Sequence, residues 1–385
     1  MAKNETSFVC QECGYDTPKF LGKCPECGLW NTLKEIKLGP LVKSSSGLSR
    51  RENISVKKLS DILHEEKKRS LTGYSEMDSV MGGGIVSGSV TLLAGDPGVG
   101  KSTLLLQMAL NMSSKKQSVL YISGEESEQQ IKLRAVRLTK NLKNDFLFLI
   151  SLTNTDQIIE LIESTKPSLV IIDSIQTMES ENLSGLSGSV GQIRYAAGQF
   201  IKAAKQLNIP TILVGHVTKE GMVAGPMVLS HMVDTVLFLE GEKNTGTRIL
   251  RSLKNRFGPV DEVGIFAMQE GGMEEVKNPE QVFLTKSNNS PGSVLVANLE
   301  GTRAFLVEVQ ALLVFSKLPM PRRVASGVDY KRLELLLAVL QKHARLPVEQ
   351  MDVFVNVAGG LKVNDPACDL GICLAILSSI KNINI

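Results

Sequence analysis

Nine residues constrain this fold more than any other stretch: Gly95-Asp96-Pro97-Gly98-Val99-Gly100-Lys101-Ser102-Thr103. They fit the spacing G-x-x-x-x-G-K-[ST], with an apolar run before them and a helical pattern after them. Glycines at these positions let backbone N–H groups turn inward around phosphates, and the following helix N-terminus adds favourable positive potential. Lys101 is expected to reach the β- and γ-phosphates of a nucleoside triphosphate, and the Ser102 hydroxyl to ligate Mg²⁺. Such a loop needs a buried strand behind it and a helix in front, so it calls for an α/β core.

The surrounding pattern agrees. Apolar β-like runs at 89–95, 118–124, 146–150, 168–173, 211–216 and 235–240 alternate with helical stretches such as 102–112 and 191–207. Strands alternating with helices predict a mostly parallel sheet covered on both faces. A chain of 385 residues exceeds the usual reach of one core. The expected organisation is a cysteine-rich segment at 1–36, a Gly/Ser/Lys-rich linker at 37–58, a nucleotide-binding domain at 59–277 and a third domain at 278–385. The third segment carries a helix candidate at 329–344.

Two strand ends bring carboxylates to the edge where ligands bind open parallel sheets. Asp173 closes the run Leu169-Val-Ile-Ile-Asp173 and suits Mg²⁺ and its water. Glu125 and Glu126 follow the strand at 118–124, and a carboxylate there polarises an attacking water. Glu125 is the candidate base and Glu126 the alternative. His216, at the end of 211–216, is a candidate γ-phosphate sensor beside a purely structural reading.

Four of the six cysteines lie near the start as Cys10-Gln-Glu-Cys13-Gly and Cys24-Pro-Glu-Cys27-Gly. Two-residue spacing lets both thiolates of a tight turn reach one tetrahedral ion, and two such turns close a Cys₄ structural zinc site. A pair of redox Cys-x-x-Cys motifs is the alternative, but no thioredoxin-like context surrounds them. Lys19, Lys23 and Trp30 flank this knuckle as candidate nucleic-acid contacts or plain surface residues. The first residues show no apolar export core and no stretch reaches the ~18 apolar residues of a membrane span, which points to the cytoplasm. A net charge of +3 leaves any nucleic-acid contact to local patches.

One feature stands apart. Lys254-Asn255-Arg256-Phe257-Gly258 lies about 150 residues beyond the phosphate loop. Lys254 and Arg256 share one side of an extended segment. They form either a basic surface turn or a pair of cations meant for a phosphate elsewhere.

Taken together, the paired Cys-x-x-Cys start, GDPGVGKST, YISGEES, LVIIDSIQT, VGHVTKEG and KNRFG resemble the bacterial RadA (Sms) family, relatives of RecA and of DnaB-type replicative helicases. The resemblance spans essentially the whole chain. It implies an ATP-driven homo-oligomer, expected to be a hexameric ring, acting on single-stranded and branched DNA. It also implies branch migration alongside a RecA-type recombinase. In such rings the nucleotide lies between subunits, so Lys254 and Arg256 become a finger supplied in trans. DNA-facing loops would be Gln176–Ser189 and Val217–Ser230, with Arg194 and Lys219 as the nearest cations. The third domain resembles the proteolytic domain of Lon-type proteases. Ala367 stands at the nucleophile position and Cys368, one place on, has no evident base. That domain is expected to be proteolytically inactive and incomplete, with Lys317, Arg322, Arg323, Lys331 and Arg332 as a basic face. An ATP-gated adaptor and an ATP-dependent protease are the competing functions.

Overall fold

The computed structural model describes residues 6–10, 16–26, 28–37, 58, 69–139, 144–183, 187–216, 229–241, 246–260, 262–278, 284, 290–363 and 365–385. Nearly all of the expected linker, 37–58, and most of the loop 217–230, with Lys219, lie outside this set. So do Cys13 and Cys27.

At the amino end, β1 (Thr6–Cys10), β2 (Asp16–Thr17) and β3 (Leu33–Lys37) form an antiparallel sheet in the order β2-β1-β3. Cys10 and Cys24 are buried together with Leu33, and the partly buried Phe8 packs against them. Then come β4 (Arg69–Ser70), α1 (Ser75–Val80), β5 (Ile85–Val86), β6 (Val90–Gly95) and α2 (Lys101–Ser114). The alternation continues through β7 (Val119–Ser123), α3 (Glu128–Leu138), β8 (Leu147–Ser151), α4 (Thr155–Thr165), β9 (Leu169–Asp173), α5 (Val190–Leu207) and β10 (Thr211–His216). It ends with β11 (Thr235–Glu240), β12 (Thr247–Asn255), β13 (Val263–Gln269) and β14 (Gly272–Glu275). The last segment holds β15 (Ser293–Glu300), β16 (Arg303–Phe315), β17 (Arg323–Ser326), α6 (Tyr330–Ala344), β18 (Met351–Val357) and α7 (Asp369–Lys381).

The chain divides into two compact units. One comprises Met1–Gly73, Gly83–Leu237 and Lys254–Phe257, and the other Tyr74–Gly82, Phe238–Leu253 and Gly258–Ile385. In the first, β6, β10, β9, β7 and β8 lie side by side in that order, all parallel, with β11 on the outer side of β6. Every residue of β6, β7 and β9 is buried, as strands covered on both faces require. Their apolar runs are therefore continuous and do not alternate, which is why the sequence shows them so clearly. Local signals set the helix starts. Ser127 and Gln130 make a reciprocal capping box at α3, and Asn154 accepts from the Asp156 and Gln157 N–H groups at α4.

In the second unit, β12, β13 and β14 form an antiparallel meander, and α1 packs on β13. Gly264 allows that approach, since a Cβ there would sit 3.0 Å from the Glu76 carbonyl oxygen. The carboxyl-terminal sheet has the order β15-β16-β18-β17, with β17 parallel to β18 and the other pairs antiparallel. Phe305, Val307, Val309, Ala311 and Leu313 of β16 face a core that they share with Leu333, Leu337, Ile372 and Ile376 of α6 and α7. Among the described residues, no helix is long and apolar enough to cross a membrane.

Candidate functional site

The phosphate loop leaves β6 at Gly95 and enters α2 through Gly100, whose φ of 112° only glycine adopts without strain. No side chain caps α2, so its first N–H groups remain for an anion. Asp96, Pro97 and Gly98 are exposed, Val99 is buried, and Ser102 and Thr103 are half-buried at the helix start. Lys101 is only 3% exposed, and its Nζ donates to the Gly95 carbonyl at 2.8 Å and the Asp96 carbonyl at 3.0 Å. Burial pushes this lysine down to about 8, while Asp173, Asp96 and Glu125 pull the other way.

Strand register brings the remaining groups to the same edge. Asp173 pairs with Ser123, and His216 with Gly95. Asp173 is nearly buried and accepts a 2.6 Å hydrogen bond from the Tyr121 hydroxyl. Burial, with Asp173 beside it, raises the Tyr121 phenol well above its ordinary value and keeps it a donor. The two glutamates separate cleanly. Glu126 pairs with Arg134 on α3, whereas Glu125 accepts from the Ser174 hydroxyl at 2.5 Å and lies 3.5 Å from His216 Nε2. Glu125 faces the phosphate loop's partners and Glu126 turns away. His216 is held below the ordinary imidazole value by burial and then by the Lys101 charge, with Glu125 and Asp173 opposing. Its buried Nδ1 and the buried Oε1 of Gln176 have no hydrogen-bond partner among the described residues, while Gln176 Nε2 donates to the His216 carbonyl at 3.2 Å.

Ser102 and Asp173 offer a hydroxyl and a carboxylate, hard oxygen donors of the kind Mg²⁺ takes beside a bound phosphate. Gly98 opens onto free space, so the loop has room for an anion. In the amino-terminal sheet, the two described members of the cysteine set are fully buried thiols, and Cys10 Sγ donates to the Thr32 hydroxyl at 3.2 Å. Soft sulfur donors in a tight knuckle fit zinc. Lys19, Lys23 and Trp30 are exposed, with the Lys23 ammonium 5.8 Å from the Trp30 ring centroid.

Lys254 and Arg256 lie elsewhere. Arg256 reaches Asp234 Oδ1 at 3.3 Å, and Lys254 donates to the Ser230 and Val233 carbonyls at 2.7 and 2.8 Å. Asp234 in turn accepts from the Val90 N–H at 3.1 Å, at the first residue of β6. The phosphate loop begins at the other end of that strand. Five residue steps of ~3.3 Å put about 16 Å between them.

Four supporting residues escape sequence reasoning: Tyr121, Ser174, Lys205 and Asp234. Each is an ordinary polar residue in its own segment, and only the fold gives it a partner.

The base of the loop 176–189 is tied down. Gln192 of α5 accepts from the Ser180 N–H at 2.9 Å and donates to the Ser180 and Leu183 carbonyls, and Ser180 bonds Asp156 at 2.6 Å. Arg194 is exposed. In the carboxyl-terminal sheet domain, Cys368 is fully buried and its Sγ faces the Ala297 carbonyl and the Asn298 amide oxygen. Burial pushes its thiol up, and the Asp365 and Asp369 carboxylates push it the same way. The expected basic face needs correction. Arg332 makes a two-pronged bond to Asp369, at 2.6 and 2.9 Å, and Arg323 donates to the Met351 and Val348 carbonyls. Both guanidiniums brace the domain internally, and only Lys317, Arg322 and Lys331 of that set are exposed.

A phosphate loop at the carboxyl edge of a parallel sheet, with a carboxylate at the same edge two strands away, defines a P-loop ATPase domain of the RecA-like kind. The AAA domain family matches residues 59–222, and the rubredoxin metal binding domain family matches residues 8–35. The chain is 46% identical to the DNA repair protein RadA of Halalkalibacterium halodurans, over 99% of this chain and 84% of that one. Identity and coverage are the same for DNA repair protein RadA of Bacillus subtilis and of Pseudomonas aeruginosa. The chain belongs to the RadA family of DNA repair proteins.

Proposed function

We propose that this protein is a DNA-dependent ATPase that translocates on single-stranded and branched DNA. In this reading it promotes branch migration with a RecA-type recombinase, as a hexameric ring in the cytoplasm. The observation that carries it is the division of cations between the two ends of β6. Lys101, Glu125, Asp173 and His216 gather at one end, and Arg256 stands on Asp234 at the other. A span of about 16 Å is too long for Arg256 to serve its own phosphate loop. A neighbouring subunit's loop is the natural target.

Within one subunit, Lys101 exchanges the Gly95 and Asp96 carbonyls for β- and γ-phosphate oxygens. Ser102 and Asp173 would hold Mg²⁺, directly or through its water. When bound, ATP and Mg²⁺ supply the phosphoryl group and the charge that polarises it. Glu125, steered by Ser174 and His216, orients the attacking water and takes its proton. An uncommitted Nδ1 supports His216 as the residue that registers the γ-phosphate. From the neighbour, Lys254 and Arg256 stabilise the charge that builds on the transferring group.

The domain reading that accompanies this is 1–36 for zinc, with Cys10, Cys13, Cys24 and Cys27 as ligands, 37–58 as linker, 59–277 as motor and 278–385 as a Lon-like scaffold without peptidase chemistry. The buried Cys368 thiol supports the scaffold reading over a protease. The test is ATP turnover with and without a single-stranded oligonucleotide, wild type against Lys101→Ala. Stimulated turnover that Lys101→Ala abolishes supports the motor. Turnover indifferent to DNA favours an ATP-gated adaptor.

A further inference from the structure

Asp234 carries more positive charge than it needs. Its carboxylate is buried, with a side-chain exposure of 5%, and Oδ1 lies 3.3 Å from both Lys205 Nζ of α5 and Arg256 Nη1. The backbone binds it as well. Val90 N–H donates to Oδ2, Asp234 N–H donates to the Val90 carbonyl, and Arg256 N–H donates to the Asp234 carbonyl. Both cations are half exposed at 49% and 53%, and with Gly88, Asn208 and Phe257 they line a cavity of about 390 Å³. One buried carboxylate neutralises one cation. The second cation stays half exposed at the mouth of the cavity, screened by water, where an incoming anion can pair with it.

We propose that Asp234 and Lys205 form a charge-exchange latch that parks and releases the Arg256 finger. Asp234 holds Arg256 in a defined place while no phosphate is near. When a neighbour's nucleotide approaches, Arg256 moves from the carboxylate to the phosphate, and Lys205 keeps Asp234 neutralised. Without Lys205, the departure of Arg256 would strand a buried anion, so the finger would stay parked. No bond forms or breaks in this step. Lys205 and Asp234 are positioning residues, since neither touches substrate. The proposal rests on the reading of Arg256 as a trans finger.

The experiment uses the full-length chain with Mg²⁺, ATP and a single-stranded oligonucleotide, and compares Lys205→Met, Lys205→Arg, Arg256→Ala and the double variant Lys205→Met/Arg256→Ala. Lys205→Met is expected to lower kcat roughly 10- to 100-fold, the scale of a misplaced catalytic group, with KM for ATP little changed. Lys205→Arg should restore most of the rate. In the Arg256→Ala background, Lys205→Met should cost nothing further, because there is no finger left to release. Near-normal turnover in Lys205→Met, with Arg256→Ala inactive, overturns the latch and leaves the finger standing. Near-normal turnover in Arg256→Ala overturns the finger itself, and the latch with it. An additive loss in the double variant shows Lys205 to be a structural support and also sinks the proposal.

Discussion

Lys101 in the free protein sits among the carbonyls that face a bound phosphate, and burial holds its ammonium near a pKa of about 8. A depressed lysine loses its proton as pH rises through that value, and a nearby phosphate restores it. Nucleotide binding should therefore take up protons at pH 8, roughly half a proton per site, and almost none at pH 6.5. Titration calorimetry in buffers of different ionisation enthalpy checks both amount and sign. Proton release, or no change between the two pH values, would contradict the environment described for Lys101. The paired glutamates give a second test. Glu125→Gln should cost on the order of 10² to 10⁴ in kcat as a lost general base, with nucleotide still bound. Glu126→Gln breaks only the bond to Arg134 and should keep most of the turnover, as steady-state kinetics of the two variants will show.

Elements explain why those residues meet, and here sequence and structure part company in an instructive way. The strands at 211–216 and 235–240 match β10 and β11 residue for residue, and the others shift by one residue at one or both ends. Continuous apolar runs between Gly-rich turns leave little freedom. The antiparallel strands β12 to β14 mix apolar with charged and polar residues, the four strands of the last domain alternate between buried and exposed positions, and both are far less legible. Site chemistry divides similarly. The phosphate loop is legible because its spacing is rigid, whereas Asp234 and Tyr121 gain meaning only from strand register. The turn after β7 shows how tight this packing is: a Cβ on Gly124 would sit 1.9 Å from Thr177 Oγ1 and 2.9 Å from Met178 Cε. Gly124→Ala should destabilise the protein by about 1–3 kcal/mol in denaturant unfolding, and Thr177→Ala added to it should recover part of that loss. Wild-type stability in Gly124→Ala would show the turn to be looser than described. In the amino-terminal sheet, Cys24→Ser should release zinc, measured by elemental analysis, while the P-loop domain keeps its nucleotide affinity. Retained stoichiometric zinc would remove Cys24 from the ligand set.

At the scale of the whole molecule, the central claim is that each nucleotide site is finished by another subunit. Arg256 and the phosphate loop occupy opposite ends of one strand, so a single chain does not bring them together. Mixing two inactive variants tests this most directly. Arg256→Ala subunits keep intact phosphate loops, and Lys101→Ala subunits keep intact fingers. Either variant alone should lose roughly 10³-fold or more in ATP turnover. Mixed in equal amounts, with native mass spectrometry showing mixed rings, they should regain a substantial fraction of wild-type turnover. Mixed rings that remain as inactive as the separate variants would contradict the account.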